Sequence, residues 1–189
     1  AKYIIIDLDQ GALLVHLRMT GKLTPVAPEK HVTVMLHFET GNTLYFQDTR
    51  KFGRMEYVNN PMEKLAHLGP EPLADDFTPE VFYKMLRSKN RQIKPLLLDQ
   101  TFLAGLGNIY VDEALFQAGI QPLSIAASIP KRQSMSLHAA IQSILSASIK
   151  AQGTTILNFS HGENESGTYQ AALQVYGRKD EPCLVFETP

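Results

Sequence analysis

Short β-branched and aromatic runs dominate the first third of this 189-residue chain. Turn residues such as Asp9-Gln10-Gly11 and Gly41-Asn42 bound them, as is typical of antiparallel strands. The runs cover residues 3–7, 12–17, 32–38, 43–47 and 55–58. This pattern predicts part of a β-sandwich or sheet.

Helical periodicity replaces the strand pattern after about residue 59. Thr78 followed by Pro79 predicts the start of one helix, and residues 130–151 predict the longest helix. The buried stripe of that helix is expected to contain Leu137, Ile141, Ile144, Leu145, Ser148 and Ile149. Residues 160–168 are polar and aperiodic, which predicts a mobile loop.

The balance of 18 basic and 19 acidic residues argues mildly against a nucleic-acid binder, so the local distribution of charge matters most. One segment of eleven residues contains five basic side chains and no acidic one. These are Lys84, Arg87, Lys89, Arg91 and Lys94. A solvated helix face is the alternative interpretation of this segment.

Targeting and redox features narrow the class of protein. No apolar stretch approaches the roughly 18 residues that cross a bilayer, and the first residues lack a signal-peptide pattern. We therefore expect a soluble, intracellular protein with no membrane partner. The single cysteine, Cys183, excludes an internal disulfide and a zinc site built from several thiolates of this chain.

The segment Gly-Leu-Gly-Asn-Ile-Tyr at residues 105–110 precedes a helical run at residues 111–118. Glycine allows a tight turn, and asparagine tolerates a left-handed backbone or presents its amide to a ligand. Such a junction between helices offers peptide N–H groups to an anion, for which a phosphate is the natural candidate. A turn without a ligand is the alternative.

Two further segments accompany this motif, His-Leu-Arg-Met-Thr-Gly-Lys-Leu at residues 16–23 and Asp-Thr-Arg-Lys-Phe-Gly at residues 48–53. In this order the three segments resemble the formamidopyrimidine-DNA glycosylase family of bifunctional base-excision enzymes. The resemblance extends from residue 1 to about Cys183 and includes residues 68–73, 93–95 and 175–179.

The resemblance implies an α+β fold with three parts. The first is a partial antiparallel β-sandwich domain, at residues 1–65. A helical domain of the helix-two-turn-helix type, which binds DNA, is expected at residues 66–175. Residues 176–189 are expected to begin a truncated zinc ribbon.

An enzyme that acts on a base within a duplex must extrude that base, and side chains then fill the hole and hold the partner base. By resemblance, this trio is Met19, Arg50 and Phe52. A thioether and a flat ring suit a wedge in the base stack, and a guanidinium can bond an orphaned base edge. Met19 and Phe52 as core residues are the alternative, which the neighbouring glycines and charges weaken.

The resemblance also supplies candidate contacts to DNA phosphates. His31, Lys89 and Asn108 match family positions near the lesion, and Arg50 is expected to share this task. The additional candidates are Lys30, Lys51 and Lys94. His31 precedes Arg50 by nineteen residues, as in the family, although a lone histidine before a strand is more often a neutral surface residue.

Lys2 aligns with the family lysine that assists catalysis, where it can steady phosphate charge or donate a proton. A frayed terminal residue is the alternative. The loop at residues 160–168 resembles the segment that folds over the everted oxidised purine. Disorder of that loop without substrate is the alternative there.

The family nucleophile is an amino-terminal proline, which attacks the sugar C1′ beside a glutamate that handles protons. Ala1 stands where the family has mid-domain sequence, so the chain is expected to be truncated and inactive as given. The family also carries a structural zinc. Phe186 occupies the position of its second ribbon cysteine, so no cofactor is expected from this chain.

These features predict a DNA-repair glycosylase with abasic-site lyase activity on oxidised purines such as 8-oxoguanine. The expected partner is damaged double-stranded DNA, bound by a monomer in the bacterial cytoplasm and associated with the nucleoid when on DNA. The alternative is a non-catalytic module, or a degenerate relative, that binds damaged DNA without cutting it.

Overall fold

The computed structural model describes residues 2–154 and 167–185. The chain divides after His67 into two compact units. The first, the β-unit, comprises residues 2–67, and the second, the helical unit, comprises residues 68–154 and 167–185. The predicted α+β class is confirmed.

The β-unit contains two antiparallel sheets of three strands each, ordered β1-β2-β6 and β3-β5-β4. The strands are β1 (Ile4–Asp7), β2 (Ala12–His16), β3 (Gly21–Thr24), β4 (Val32–His37), β5 (Thr43–Asp48) and β6 (Arg54–Val58). All except β3 lie within or beside the predicted runs. A short helix, α1 (Pro61–Leu65), follows β6, and the Asn60 side chain caps it by accepting from the backbone of Met62 and Glu63.

The core of the β-unit is small. Its buried hydrophobic residues are Ala12, Leu14, Val15 and Phe46. Large apolar side chains remain exposed on other strand faces, among them Ile5 of β1 and Met35 of β4. Exposed apolar strand faces of this kind mark surfaces that ordinarily pack against something else.

The helical unit is built from four helices around one apolar core. They are α2 (Pro79–Arg87), α3 (Ile93–Leu98), α4 (Asn108–Gln117) and α5 (Lys131–Lys150), with short 3-10 helices at Ala126–Ser128 and Tyr169–Ala172. Thr78 caps α2 as predicted, since its hydroxyl accepts from the backbone of Val81 at 3.3 Å. Within the described residues, no helix is long and apolar enough to cross a membrane.

Helix α5 packs against α2 and α4 with a face that differs in part from the predicted stripe. Ile149 was expected to be buried but is 64% exposed. His138 is buried instead, stacks on Phe77 at 5.0 Å, and donates from Nε2 to the Phe77 carbonyl at 2.6 Å. A histidine can therefore join this core because its polar ring atom has a partner.

A buried carboxylate fixes the C-terminal segment of the helical unit to α4. The Oε1 atom of Glu113 accepts from the backbone N–H groups of Val175 and Tyr176, both at 2.9 Å, and Oε2 accepts from Gln174 at 2.8 Å. Glu113 is only 4% exposed. Three charge-assisted bonds of this kind compensate for burying the charge.

Candidate nucleic-acid interface

Met19 lies in a tight turn between β2 and β3, and its side chain is 68% exposed. The turn closes through a bond from the Gly21 N–H to the Leu17 carbonyl at 2.9 Å. A Cβ atom at Gly21 would lie 2.4 Å from that carbonyl oxygen, so glycine is required there. Met19 is therefore presented to solvent and is not a core residue.

Phe52 lies in the loop between β5 and β6 and is 57% exposed. The Arg50 guanidinium carbon lies 4.9 Å from the centre of the Phe52 ring, which is a cation–π contact. Lys51, between them, has a left-handed backbone with φ of 56°. The loop thus places an exposed ring and a guanidinium side by side, with the exposed Lys51 between them in sequence.

Asp48, at the end of β5, connects this loop to the Met19 turn. Its Oδ1 accepts from the Thr20 hydroxyl at 2.5 Å and from the Arg50 N–H at 3.2 Å, while Oδ2 accepts from the Gly53 N–H at 2.7 Å. Asp48 is not among the residues predicted from the sequence. Its only sequence signal is its place at the start of the Asp-Thr-Arg-Lys-Phe-Gly segment.

The Asp48 carboxylate is charged although it is only 1% exposed. Burial alone would raise its pKa. The hydrogen bonds from the Thr20 hydroxyl and from the backbone N–H groups of Gly53, Arg50 and Lys51 outweigh burial and hold the pKa below its ordinary value. The group therefore acts as an acceptor only.

The buried Phe46 ring packs against both the Met19 turn and the loop that carries Phe52. A Cβ atom at Gly21 would come within 2.9 Å of the Phe46 ring, and one at Gly53 would come within 2.5 Å of it. Both loops therefore need glycine to rest on one buried ring. This close packing brings Met19, Arg50 and Phe52 to the same end of the β3-β5-β4 sheet.

His31 lies at this same end of the sheet. It is exposed, immediately precedes β4 and has a left-handed backbone with φ of 65°. Its carbonyl accepts from the Asp48 N–H at 2.9 Å, and the neighbouring Lys30 carbonyl accepts from the Gln47 side chain at 3.0 Å. The fold therefore brings His31 and Lys30 beside the segment that carries Arg50.

Lys2 lies near His16 of β2 in the β-unit. Lys2 as a whole residue is exposed, but the protein around its ammonium group displaces water and so lowers the pKa of that group. The pKa of His16 is lowered by burial and then by the positive charges of Arg18, Lys2 and Arg54. An amine with a lowered pKa is better suited to proton transfer near neutral pH than an ordinary lysine.

In the helical unit, Asn108 is the first residue of α4 and is exposed. Gly107 occupies the N-cap position without a side-chain cap, and no acidic residue lies in the first turn. The N-terminal N–H groups of a helix have no partner within the helix, and they attract anions. Asn108 thus lies at the start of a helix that follows the glycine-rich motif, and its contact with an anion stays a prediction.

Gln100 holds the turn before α4 in shape. Its Oε1 accepts from the Gly105 N–H at 2.9 Å, and its Nε2 donates to the Leu106 carbonyl at 2.9 Å. Gly105 has φ of 87°, a conformation that favours glycine. Gln100 is not predictable from the sequence, because nothing in the neighbouring residues distinguishes it from a surface glutamine.

The basic segment of the helical unit is largely paired. Arg87 donates to the Ala127 carbonyl, Arg91 pairs with Asp99 at 2.9 Å, and Lys94 pairs with Asp112 at 2.7 Å. Lys84 and Lys89 differ, because their exposed side chains have no ion pair or hydrogen bond to any described residue. A phosphate contact is therefore less costly to form for Lys89 than for Lys94.

Two expected features can be only partly described. Residues 160–166 of the predicted purine-covering loop lie outside the described residues, whereas Thr168 forms a bridge with Thr154. Cys183 accepts from the Val185 N–H at 3.5 Å. Within the described residues, no group of three or more His, Cys, Asp or Glu side chains could hold a metal ion.

Comparison with known proteins identifies the chain's relatives. Residues 1–55 match the sequence profile described as the formamidopyrimidine-DNA glycosylase N-terminal domain, and residues 68–160 match the profile described as its H2TH domain. A formamidopyrimidine-DNA glycosylase of Desulforamulus reducens is 44% identical over 96% of this chain and 69% of its own length. The chain belongs to the formamidopyrimidine-DNA glycosylase family.

Other members of the formamidopyrimidine-DNA glycosylase family are similar to this chain in sequence and in structure. The protein of Legionella pneumophila (strain Lens) is 43% identical over 98% of this chain and 70% of its own length. The crystal structure of the MutM (Fpg) protein of Thermus thermophilus superposes on this chain with a TM-score of 0.92 and 36% sequence identity. The match includes 100% of this chain and 73% of the Thermus thermophilus chain.

A solved structure of a Lactococcus lactis Fpg mutant in complex with DNA that contains Fapy-dG is also similar. Its TM-score against this chain is 0.86, and the two sequences are 37% identical. The match includes 97% of this chain and 70% of the Lactococcus lactis chain. The chain thus spans about 70% of the length of these glycosylase relatives.

Proposed function

We propose that this protein is a base-excision repair DNA glycosylase with abasic-site lyase activity, acting on oxidised purines in duplex DNA. The observation that carries the proposal is family membership along nearly the whole chain. The geometry of both units is compatible with it. Each presents exposed residues suited to DNA at a defined place in its own fold.

In the β-unit, we assign Met19, Arg50 and Phe52 to filling the space left by an extruded base. Two of these side chains are apolar and more than half exposed, which is unfavourable in water unless a partner covers them. The Arg50 guanidinium has charge and donors available for the edge of an orphaned base. The Phe52 ring offers a stacking surface.

We assign phosphate contacts to His31 and Arg50 in the β-unit and to Lys89 and Asn108 in the helical unit. Such contacts position a duplex without reading its sequence. The near-neutral total charge does not oppose this assignment, because exposed cations such as Lys89 act locally within a Debye length. Lys30, Lys51 and Lys94 are assigned secondary contacts, and Lys94 must first leave Asp112.

We assign Lys2 a role in proton handling during cleavage, which its lowered pKa supports. Damaged double-stranded DNA is the partner, bound by a monomeric protein in the bacterial cytoplasm, close to the nucleoid. We propose that these 189 residues hold no zinc by themselves, because Cys183 is their single cysteine. Elemental analysis of purified protein tests this point, and a stoichiometric zinc signal would contradict it.

Competition binding tests the central proposal. Fluorescence anisotropy should show tighter binding to a duplex with an abasic-site analogue or 8-oxoguanine than to the same undamaged duplex. Equal affinity for all three would contradict the proposal. Borohydride reduction with an abasic duplex then separates enzyme from binder, because only an enzyme that forms an imine is trapped. This assay uses a chain that carries the amino-terminal proline and glutamate of the family ahead of these residues. Damage preference without an adduct in that chain would favour the non-catalytic alternative.

A further inference from the structure

Asp48 occupies an unusual position in the β-unit, because one buried carboxylate reaches two separate exposed loops. The Thr20 hydroxyl belongs to the Met19 turn, and the N–H groups of Arg50 and Gly53 belong to the loop that carries Phe52. These loops are about thirty residues apart in sequence. The carboxylate is therefore a physical link between the two halves of the proposed void-filling trio.

We propose that Asp48 is a positioning residue that fixes Met19, Arg50 and Phe52 relative to one another, and that this arrangement sets the preference for damaged over undamaged DNA. The inference rests on the proposed function. Asp48 itself is 1% exposed, so it acts through the groups it holds and not through contact with DNA.

The chemistry of the bonds requires a carboxylate. Two of the donors to Asp48 are backbone N–H groups, which cannot become acceptors, and they bond to different oxygens of its carboxylate. An asparagine would direct its NH2 group at one of them. The amide of Asp48→Asn therefore cannot accept from both N–H groups, and one of them loses its bond to residue 48.

The backbone of the same segment adds to this role. Asp48 donates its own N–H to the His31 carbonyl at 2.9 Å, so a proposed phosphate contact is fixed to the same strand end. Gly21 and Gly53 pack on Phe46 on either side of this point. Movement of Asp48 would therefore change the Met19 turn, the Phe52 loop and His31 together.

The decisive variants change Thr20, because Thr20→Val removes one hydroxyl and keeps both the side-chain shape and the Asp48 charge. Thr20→Ser restores the hydroxyl and should restore wild-type behaviour. Thr33→Val is the matched control, because its hydroxyl donates to the Phe46 carbonyl at 2.9 Å in the same unit without contacting Asp48. Asp48→Asn is the stronger variant, and Thr20→Val serves if Asp48→Asn does not fold.

The first measurement is amide hydrogen exchange of the 189-residue chain without DNA. Thr20→Val should speed exchange of the Gly53 N–H by about fivefold, the equivalent of one net hydrogen bond, because Gly53 bonds to Asp48 and not to Thr20. The Arg50 N–H is not used as the reporter, because it also donates to the Thr20 hydroxyl at 3.4 Å. Thr20→Ser and Thr33→Val should leave exchange at Gly53 unchanged. Unchanged exchange at Gly53 in Thr20→Val would overturn the inference whatever the protein does with DNA.

The second measurement is binding to an abasic-analogue duplex and to an undamaged duplex, with 2-aminopurine opposite the lesion as a probe of the filled space. Thr20→Val should reduce the abasic preference about fivefold, again the scale of one hydrogen bond, and weaken the 2-aminopurine response. Binding to undamaged duplex should stay within about twofold. Equal loss on both duplexes with an unchanged 2-aminopurine response would overturn the inference.

A double-mutant cycle completes the test. Because Thr20 joins the Met19 turn to the Phe52 loop through Asp48, the losses of abasic preference in Thr20→Val and Met19→Ala should be less than additive. Full additivity would contradict the link. A wild-type chain without any abasic preference would instead contradict the proposed function, and the inferred control of DNA preference with it.

Discussion

Replacement of Phe52 by alanine tests whether this residue is a wedge in the base stack or part of the core of the β-unit. Phe52 is 57% exposed, so less than half of its ring contributes to folding. Since full burial of a phenylalanine contributes about 1.5–3 kcal/mol, its truncation should lower the free energy of unfolding by about 1 kcal/mol. Loss of the Arg50 contact adds about 0.5–1 kcal/mol.

The effect on DNA should be selective. One base-stacking contact contributes about 1–3 kcal/mol, so Phe52→Ala should weaken binding to an abasic duplex by about five- to 150-fold. Binding to undamaged duplex should change little, because the wedge stabilises only the unstacked state. Fluorescence anisotropy with both duplexes measures the two affinities, and urea denaturation measures stability.

Phe46→Ala is the matched control. Phe46 is 3% exposed, so removal of its ring should lower the free energy of unfolding by about 3–5 kcal/mol. The variant should bind both duplexes less well, because the fold of the β-unit is lost. If Phe52→Ala behaved like Phe46→Ala, with a large loss of stability and equal losses on both duplexes, the ring would be core and the wedge assignment would be wrong.

Three further predictions concern the helical unit. Lys89→Ala should weaken binding to damaged and undamaged duplex alike, and should lower the slope of log affinity against log salt concentration by about one unit. Lys84→Ala, on the exposed surface of α2, should change neither the affinity nor this slope in the same salt titration. Glu113→Ala should lower the free energy of unfolding by about 3 kcal/mol, because three backbone N–H groups lose their acceptor, and urea denaturation matching wild type would contradict this. The Thr101 hydroxyl and Arg91 lower the pKa of Asp99 to about 2, so its stabilisation is present above its ordinary pKa and lost as pH falls toward 2. Asp99→Asn should therefore lower the free energy of unfolding by about 1–2 kcal/mol at pH 7, after allowance for solvent screening, and by much less at pH 2.5. Urea denaturation measures both losses, and an equal loss at the two pH values would refute the linkage.

The regular elements were predictable because their patterns are local. Thr78 and Pro79 mark the start of α2, and α5 occupies Lys131–Lys150 within the predicted residues 130–151. Strand β3 (Gly21–Thr24) was missed, because four residues with one strongly apolar side chain give no periodicity. It becomes a strand through pairing with β5, which is a non-local interaction.

The exposed positions of Met19 and Phe52 were also predictable, since neighbouring glycines and charges suggested loops. The buried and half-buried side chains that hold the backbone of such loops were not predictable. Asp48, Gln100 and Glu113 each hold backbone N–H groups, and no residue type or spacing shows which backbone groups folding will bring to a side chain. Lys94 illustrates the reverse case, because its ion pair with Asp112 depends on how α3 and α4 pack. The DNA contacts assigned to the exposed residues remain predictions.

Backbone conformation gives an independent reason to treat this end of the β-unit as functional. Within the described residues of that unit, the non-glycine residues with left-handed backbones are Arg18, His31 and Lys51. Each adjoins Asp48, the Met19 turn or the Phe52 loop. Such conformations cost about 1 kcal/mol or more and persist only where surrounding bonds enforce them. The bonds to Asp48 and the packing on Phe46 supply that enforcement, so strain, buried charge and exposed apolar side chains coincide at one sheet end. A surface loop with no role would gain stability by relaxing each of them.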